Sequence, residues 1–121
     1  MPTNKNGLQF KTIKIIEKQL VKFDFNDSLP LGIKPIKSFG HTPGHTCCRR
    51  DDLIILKDLI HSQDIQIQHP EICTTYDHDG KVNIDARKNI LKYAEYSKWF
   101  VARMHLKYSN SSMYSEFYNK K

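Results

Sequence analysis

The sequence holds 121 residues, with 19 basic against 13 acidic side chains for a formal charge of +6 and a pI near 9.2. A chain of that length buries one core and excludes two independent domains, and its apolar residues gather in short clusters such as Leu53-Ile54-Ile55-Leu56, which argues against disorder. No apolar run approaches the ~20 residues that cross a bilayer, and no signal-type core follows the first residues, so the chain is expected to be soluble and cytoplasmic, with no membrane partner.

From Gly7 to Leu20 the apolar Leu8, Ile13, Ile15, Ile16 and Leu20 predict a helix. The partly alternating Leu20 to Phe25 predicts a strand that stops at Asn26-Asp27-Ser28, and Ile33, Ile36 and Phe39 predict a second strand leading into Gly40. His45 to Arg50, Asp51-Asp52 and Leu53 to Leu56 read as strand, tight turn and buried strand. After Asp58 an irregular stretch, too polar for the core, runs past Pro70 to the turn-like Tyr76 to Gly80. Asn83 is the expected cap of a helix reaching about Tyr96, with Ile84, Arg87, Leu91 and Ala94 on one stripe. A short strand from Trp99 to Ala102 follows, and the Ser-, Asn- and Tyr-rich stretch 109–121 reads as a frayed tail.

Cys47, Cys48 and Cys73 form no C-x-x-C pair, and an odd number cannot all pair within the chain. They read as small buried hydrophobes in a reducing compartment. The lysines are scattered, as on a solvated face.

The densest chemical signal is Gly40-His41-Thr42-Pro43-Gly44-His45-Thr46. Proline and glycine exclude a helix, so the two histidines lie on a tight loop after a strand, where side chains can converge on a metal or an anion. The alternative is that one or both rings only hydrogen-bond the loop. His69 and His78 are assigned to turns.

This loop, followed by Leu53 to Leu56 and Lys57-Asp58, resembles the metallo-β-lactamase-fold hydrolases, in which a G-H-T-x-G-H loop precedes a strand ending in Gly-Asp. Ile60-His61, Gln66, Pro70-Glu71, Asp77-x-Asp79, Arg87 and a closing His105 recur at spacings similar to the branch of lactonases and organophosphate or ester hydrolases. The resemblance runs over about 33–106. It implies an α/β (α+β) fold, a mixed β-sheet with flanking helices, as in the C-terminal half of the αβ/βα sandwich.

It also implies roles. His41 resembles a terminal ligand of a first metal, Asp58 the catalytic carboxylate that bridges both metals, and His105 a terminal ligand of the second metal. Neutral imidazoles and a carboxylate suit Zn²⁺, and two such ions can share a bridging hydroxide of near-neutral pKa. His45 is expected to orient a ligand by hydrogen bonding, and His61 either approaches the pocket beside Asp58 or lies exposed in its loop.

The departures carry equal weight. The principal metal motif of such hydrolases, H-x-H-x-D-H, precedes the G-H-T loop, and this sequence has no histidine before His41. The usual glycine before the bridging aspartate is Lys57, and Lys107-Tyr108-Ser109-Asn110 stands where a Pro-Gly turn is expected. Each ion would keep one terminal ligand and the bridge, fewer than the three protein groups of a catalytic zinc. Residues 1–121 are therefore expected to form one partial domain, inactive alone on small ester-type substrates. An uncovered sheet face would seek a companion chain carrying the missing half, or a second copy. The competing class is a non-enzymatic basic module or oligomeric scaffold, with Tyr93, Tyr96, Trp99, Tyr108, Tyr114 and Tyr118 against a nucleic acid, although no nucleic-acid-binding motif is present.

Overall fold

A computed structural model describes residues 7–102, 104 and 112–113. Its first element is the helix α1 (Leu8–Ile16), continued by one 3₁₀ turn at Glu17–Gln19 and carrying no buried residue. The strand expected over Leu20 to Phe25 does not form. Val21 is 90% exposed there, because alternation alone supplies no partner edge: β1 (Lys34–Lys37) is the outermost strand of the sheet and pairs with β2 (Thr46–Arg50) on its inner side.

β2 and β3 (Leu53–Ile55) form an antiparallel hairpin in the register Arg50↔Leu53. Asp51 takes φ 51°, the left-handed conformation that a two-residue hairpin turn requires. β4 (Phe100–Ala102) then pairs parallel to β3, and β5 (Ser112–Met113) pairs antiparallel to β4. The sheet is thus mixed, ordered β1-β2-β3-β4-β5. Ser112–Met113 falls within the tail expected to fray; the rest of 109–121 and His105 lie outside the described residues.

The parallel step demands a long crossover. It holds a 3₁₀ turn at Lys57–Leu59, the single-turn helix α2 (Gln63–Gln66) and the long helix α3 (Gly80–Ser97). Asp79, four residues ahead of the expected Asn83, caps α3: its carboxylate accepts from the Val82 N–H at 3.1 Å. Asn83 is fully buried inside the helix instead. Lys98 closes α3 in the left-handed conformation, φ 54°.

One face of the sheet packs against α3. Cys47, Ile54 and Val101 meet Ile90, Leu91 and Ala94, with Ile36 and Trp99 at the margin. The crossover joins this core as well. Leu59, Ile60, Gln66 and Ile67 are all buried, so the stretch read as too polar for the core enters it, with the Gln66 amide and Arg87 of α3 bonding its backbone groups. The alternate residues of the strands, in the row Pro35↔Cys48↔Ile55↔Ala102, point to the opposite face. Ile55 is 40% exposed on it and Phe100 37%, whereas Ile54 is fully buried: of the run Leu53 to Leu56, the alternate residues, not the whole run, are core.

Candidate metal centre

The loop after β1 is fixed by backbone. Gly40 has φ 132°, and a Cβ there would lie 2.3 Å from the Asn83 nitrogen, so only glycine lets the loop touch α3. The Gly40 and His41 carbonyls then accept from the Asp79 and His78 N–H groups at 2.8 and 3.1 Å. These bonds lay the His41 loop along the turn that opens α3, and so bring His41 against Asp77.

His41 Nδ1 lies 3.0 Å from Asp77 Oδ1 and 3.3 Å from His61 Nε2, and His61 Nε2 lies 3.8 Å from Asp77 Oδ1. Among the described residues this is the one group of three His, Cys, Asp or Glu side chains placed to hold a metal ion. The Asp77 side chain is fully buried, while the two rings are each about one-fifth exposed. Burial pushes the Asp77 carboxyl up, but the Asn83 amide, the His41 ring, the Thr74 N–H and the charge of His61 together hold it below the usual carboxylate range.

His61 is set by a buried polar frame. Gln66 Oε1 accepts from the His61 and Ser62 N–H groups at 2.6 and 3.1 Å, and Gln66 Nε2 donates to the Ile72 carbonyl at 2.9 Å. Arg87, fully buried in α3, donates to the carbonyls of Leu59, Pro70 and Ile72 at 2.7–2.9 Å. One guanidinium thus ties together both ends of the segment that carries His61.

His45 does different work. Its Nε2 accepts from the Asp58 N–H at 3.2 Å, so Nδ1 carries the proton and points at the Ser38 carbonyl, 3.1 Å, and hydroxyl, 2.7 Å. Burial first, then the neighbouring His41 and Lys57, holds the ring below its ordinary pKa against the Ser38 carbonyl and the Asp58 charge. With both nitrogens engaged, His45 is a positioning residue for the Asp58 backbone. Lys57, at the position where the resemblance expects glycine, keeps the glycine-type conformation at φ 53°.

The structure therefore brings His41 and His61 together, adds Asp77, seats the half-buried Asp58 on His45, and leaves His105 outside the described residues. Asp77 had no role from sequence; its signal was its place in the Asp77-x-Asp79 pair that the resemblance already included. Imidazole and carboxylate donors fit Zn²⁺, but the described residues assemble donors for one ion and not a cage for two.

No family model and no curated protein matches the chain. Solved structures do. AidC, a dizinc quorum-quenching lactonase in complex with a product, N-hexanoyl-L-homoserine, superposes with a TM-score of 0.79 at 28% identity over 86% of this chain and 37% of its own. The hydrolase AbOPH of the β-lactamase superfamily gives 0.75 at 26% identity over 84% of this chain and 36% of its own. The chain spans little more than a third of either. With its mixed sheet, its α3 layer and its loop histidines, it has the fold of the C-terminal portion of a metallo-β-lactamase-fold hydrolase.

Proposed function

We propose that the chain is part of a metallo-β-lactamase-superfamily hydrolase acting on esters, lactones or phosphotriesters, and that it is inactive alone. The observation that carries this reading is the His41–Asp77 contact. A buried carboxylate on Nδ1 leaves Nε2 as the metal-facing nitrogen, the arrangement of a carboxylate–histidine–zinc ligand. In this reading His41 and His105 are terminal ligands, Asp58 bridges, and His45 holds the Asp58 backbone in place. Two zinc ions bound there would supply a hydroxide of near-neutral pKa and stabilise the developing oxyanion.

The missing ligands belong to a companion chain bearing H-x-H-x-D-H, docked on the face that exposes Ile55 and Phe100. A second copy of this chain cannot supply that motif. The test is hydrolysis of lactone and phosphotriester substrates by the purified chain with zinc, alone and with such a companion. Turnover only with the companion, lost in Asp58→Ala, is expected; zinc-dependent turnover by the chain alone, lost in the same variant, would overturn the reading.

A further inference from the structure

We infer that the chain on its own binds a single transition-metal ion through His41 Nδ1, His61 Nε2 and Asp77 Oδ1, a site made wholly of its own residues that shares only the His41 ring with the His41, Asp58 and His105 set. The inference goes beyond the proposed function and does not rest on it.

The geometry carries the argument. A tetrahedral ion with bonds of about 2.0–2.2 Å holds its ligand atoms roughly 3.3–3.6 Å apart. The three donors already stand 3.0, 3.3 and 3.8 Å apart, so an ion enters with shifts of a few tenths of an ångström. Two imidazoles and one carboxylate are a catalytic-type zinc set that leaves the fourth position to water, and the one-fifth exposure of the two rings gives that position an opening.

The scaffold is rigid for the same reasons that place it. The His41 backbone is bonded to the turn ahead of α3, and Asp77 Oδ2 accepts from the Thr74 N–H at 3.2 Å. The His61 N–H is held by Gln66. Little conformational freedom is left to lose on binding.

Protons balance simply. In the metal-free chain the neutral His41 ring donates from Nδ1 to Asp77. Entry of the ion requires the other tautomer of His41, with that proton moved to Nε2 through solvent, and an unprotonated His61 Nε2, from which the ion displaces any proton into solvent. Nδ1 then meets the ion, and Asp77 changes from hydrogen-bond acceptor to ligand.

This site and the complete hydrolase site use opposite nitrogens of the same ring. His41 offers Nε2 only where the other ligands are present; in the chain alone, the pocket behind the ring is the better cage.

The full chain, stripped with a chelator, is titrated with Zn²⁺ by calorimetry and with Co²⁺ by visible absorption, while ¹⁵N imidazole NMR of the zinc-loaded chain reports which nitrogens coordinate. One ion per chain, a tetrahedral cobalt band and coordination by His41 Nδ1 and His61 Nε2 are expected. His61→Ala and Asp77→Asn should each weaken zinc binding at least tenfold, and Asp58→Asn should leave it unchanged. His61 is partly exposed, so His61→Ala keeps the test valid if the buried Asp77→Asn fails to fold. Coordination through His41 Nε2, or binding removed by Asp58→Asn and kept by His61→Ala, would overturn the inference while favouring the proposed hydrolase site. Zinc binding no tighter than in the His41→Ala, His61→Ala double variant would overturn it as well.

Discussion

The Asp58 N–H donates to His45 Nε2 across 3.2 Å, so the second histidine of the loop holds the backbone of the central residue of the turn that follows β3. Replacing His45 by Ala leaves a buried Ser38 hydroxyl and carbonyl and the Asp58 N–H without this partner. The expected cost is ~2–3 kcal/mol, against roughly 1 kcal/mol or less for His41→Ala, whose ring is partly exposed. Urea unfolding of both variants checks the order.

Core truncation should follow the alternation of β3. Ile54→Ala is expected to cost ~3–4 kcal/mol and Ile55→Ala about 1 kcal/mol, because Ile54 is fully buried and Ile55 is 40% exposed. Equal losses in thermal melts would mean that the Ile55 face is covered in solution.

Gly40→Ala should be severe. A methyl group would overlap the Asn83 backbone at 2.3–2.4 Å in a conformation, φ 132°, that alanine avoids. A loss of ~3 kcal/mol or more is expected, with the His41 loop detached from α3. Denaturant midpoints and amide exchange at His78 and Asp79 measure it.

Lys57→Gly should work the other way. Lys57 sits at φ 53°, and relieving that strain, partly offset by the greater freedom of glycine in the unfolded chain, should stabilise by ~0.5–1 kcal/mol. A lowered melting temperature for this variant would show that the Lys57 side chain contributes more than its backbone costs.

Burial pushes the Cys47 thiol from its ordinary 9.0 up to about 11, against the Ser38 hydroxyl and the Lys57 charge, and its Sγ–H donates to the Leu56 carbonyl at 3.4 Å. A folded pKa above the unfolded one means that the folded chain holds the proton more tightly. The contribution is therefore whole below pH 9 and lost as pH rises to 11, about 2–3 kcal/mol in all. Cys47→Ala should flatten the stability profile over that interval. At pH 8 an alkylating reagent should modify exposed Cys73 first and Cys47 last.

The hairpin was legible because the turn pair Asp51-Asp52 sits directly before the apolar run Leu53 to Leu56, and the His41 loop because Gly40, Pro43 and Gly44 forbid a helix. The start of α3 was not: Asp79 and Asn83 are both good caps, and the choice fell to the close approach of Gly40, which buries Asn83. Arg87 shared a stripe with Ile84, Leu91 and Ala94, but what it and Gln66 bond was not legible, because the carbonyls of Leu59, Pro70 and Ile72 are brought together by no local pattern. Asp77 was hidden for a like reason, since its partners come from a loop far earlier in the chain.

The parallel pairing of Ile54 with Val101 sets an order on folding. The β1-β2-β3 meander closes through short turns, while β4 waits for the whole crossover to be drawn in, a costly closure of distant contacts that slows the last step. His61 and Asp77 both lie inside that crossover, and His41 lies on the early-forming side. The three donor atoms therefore meet only when the slow step is complete, and an ion that needs all three would report the arrival of the native state rather than nucleate it.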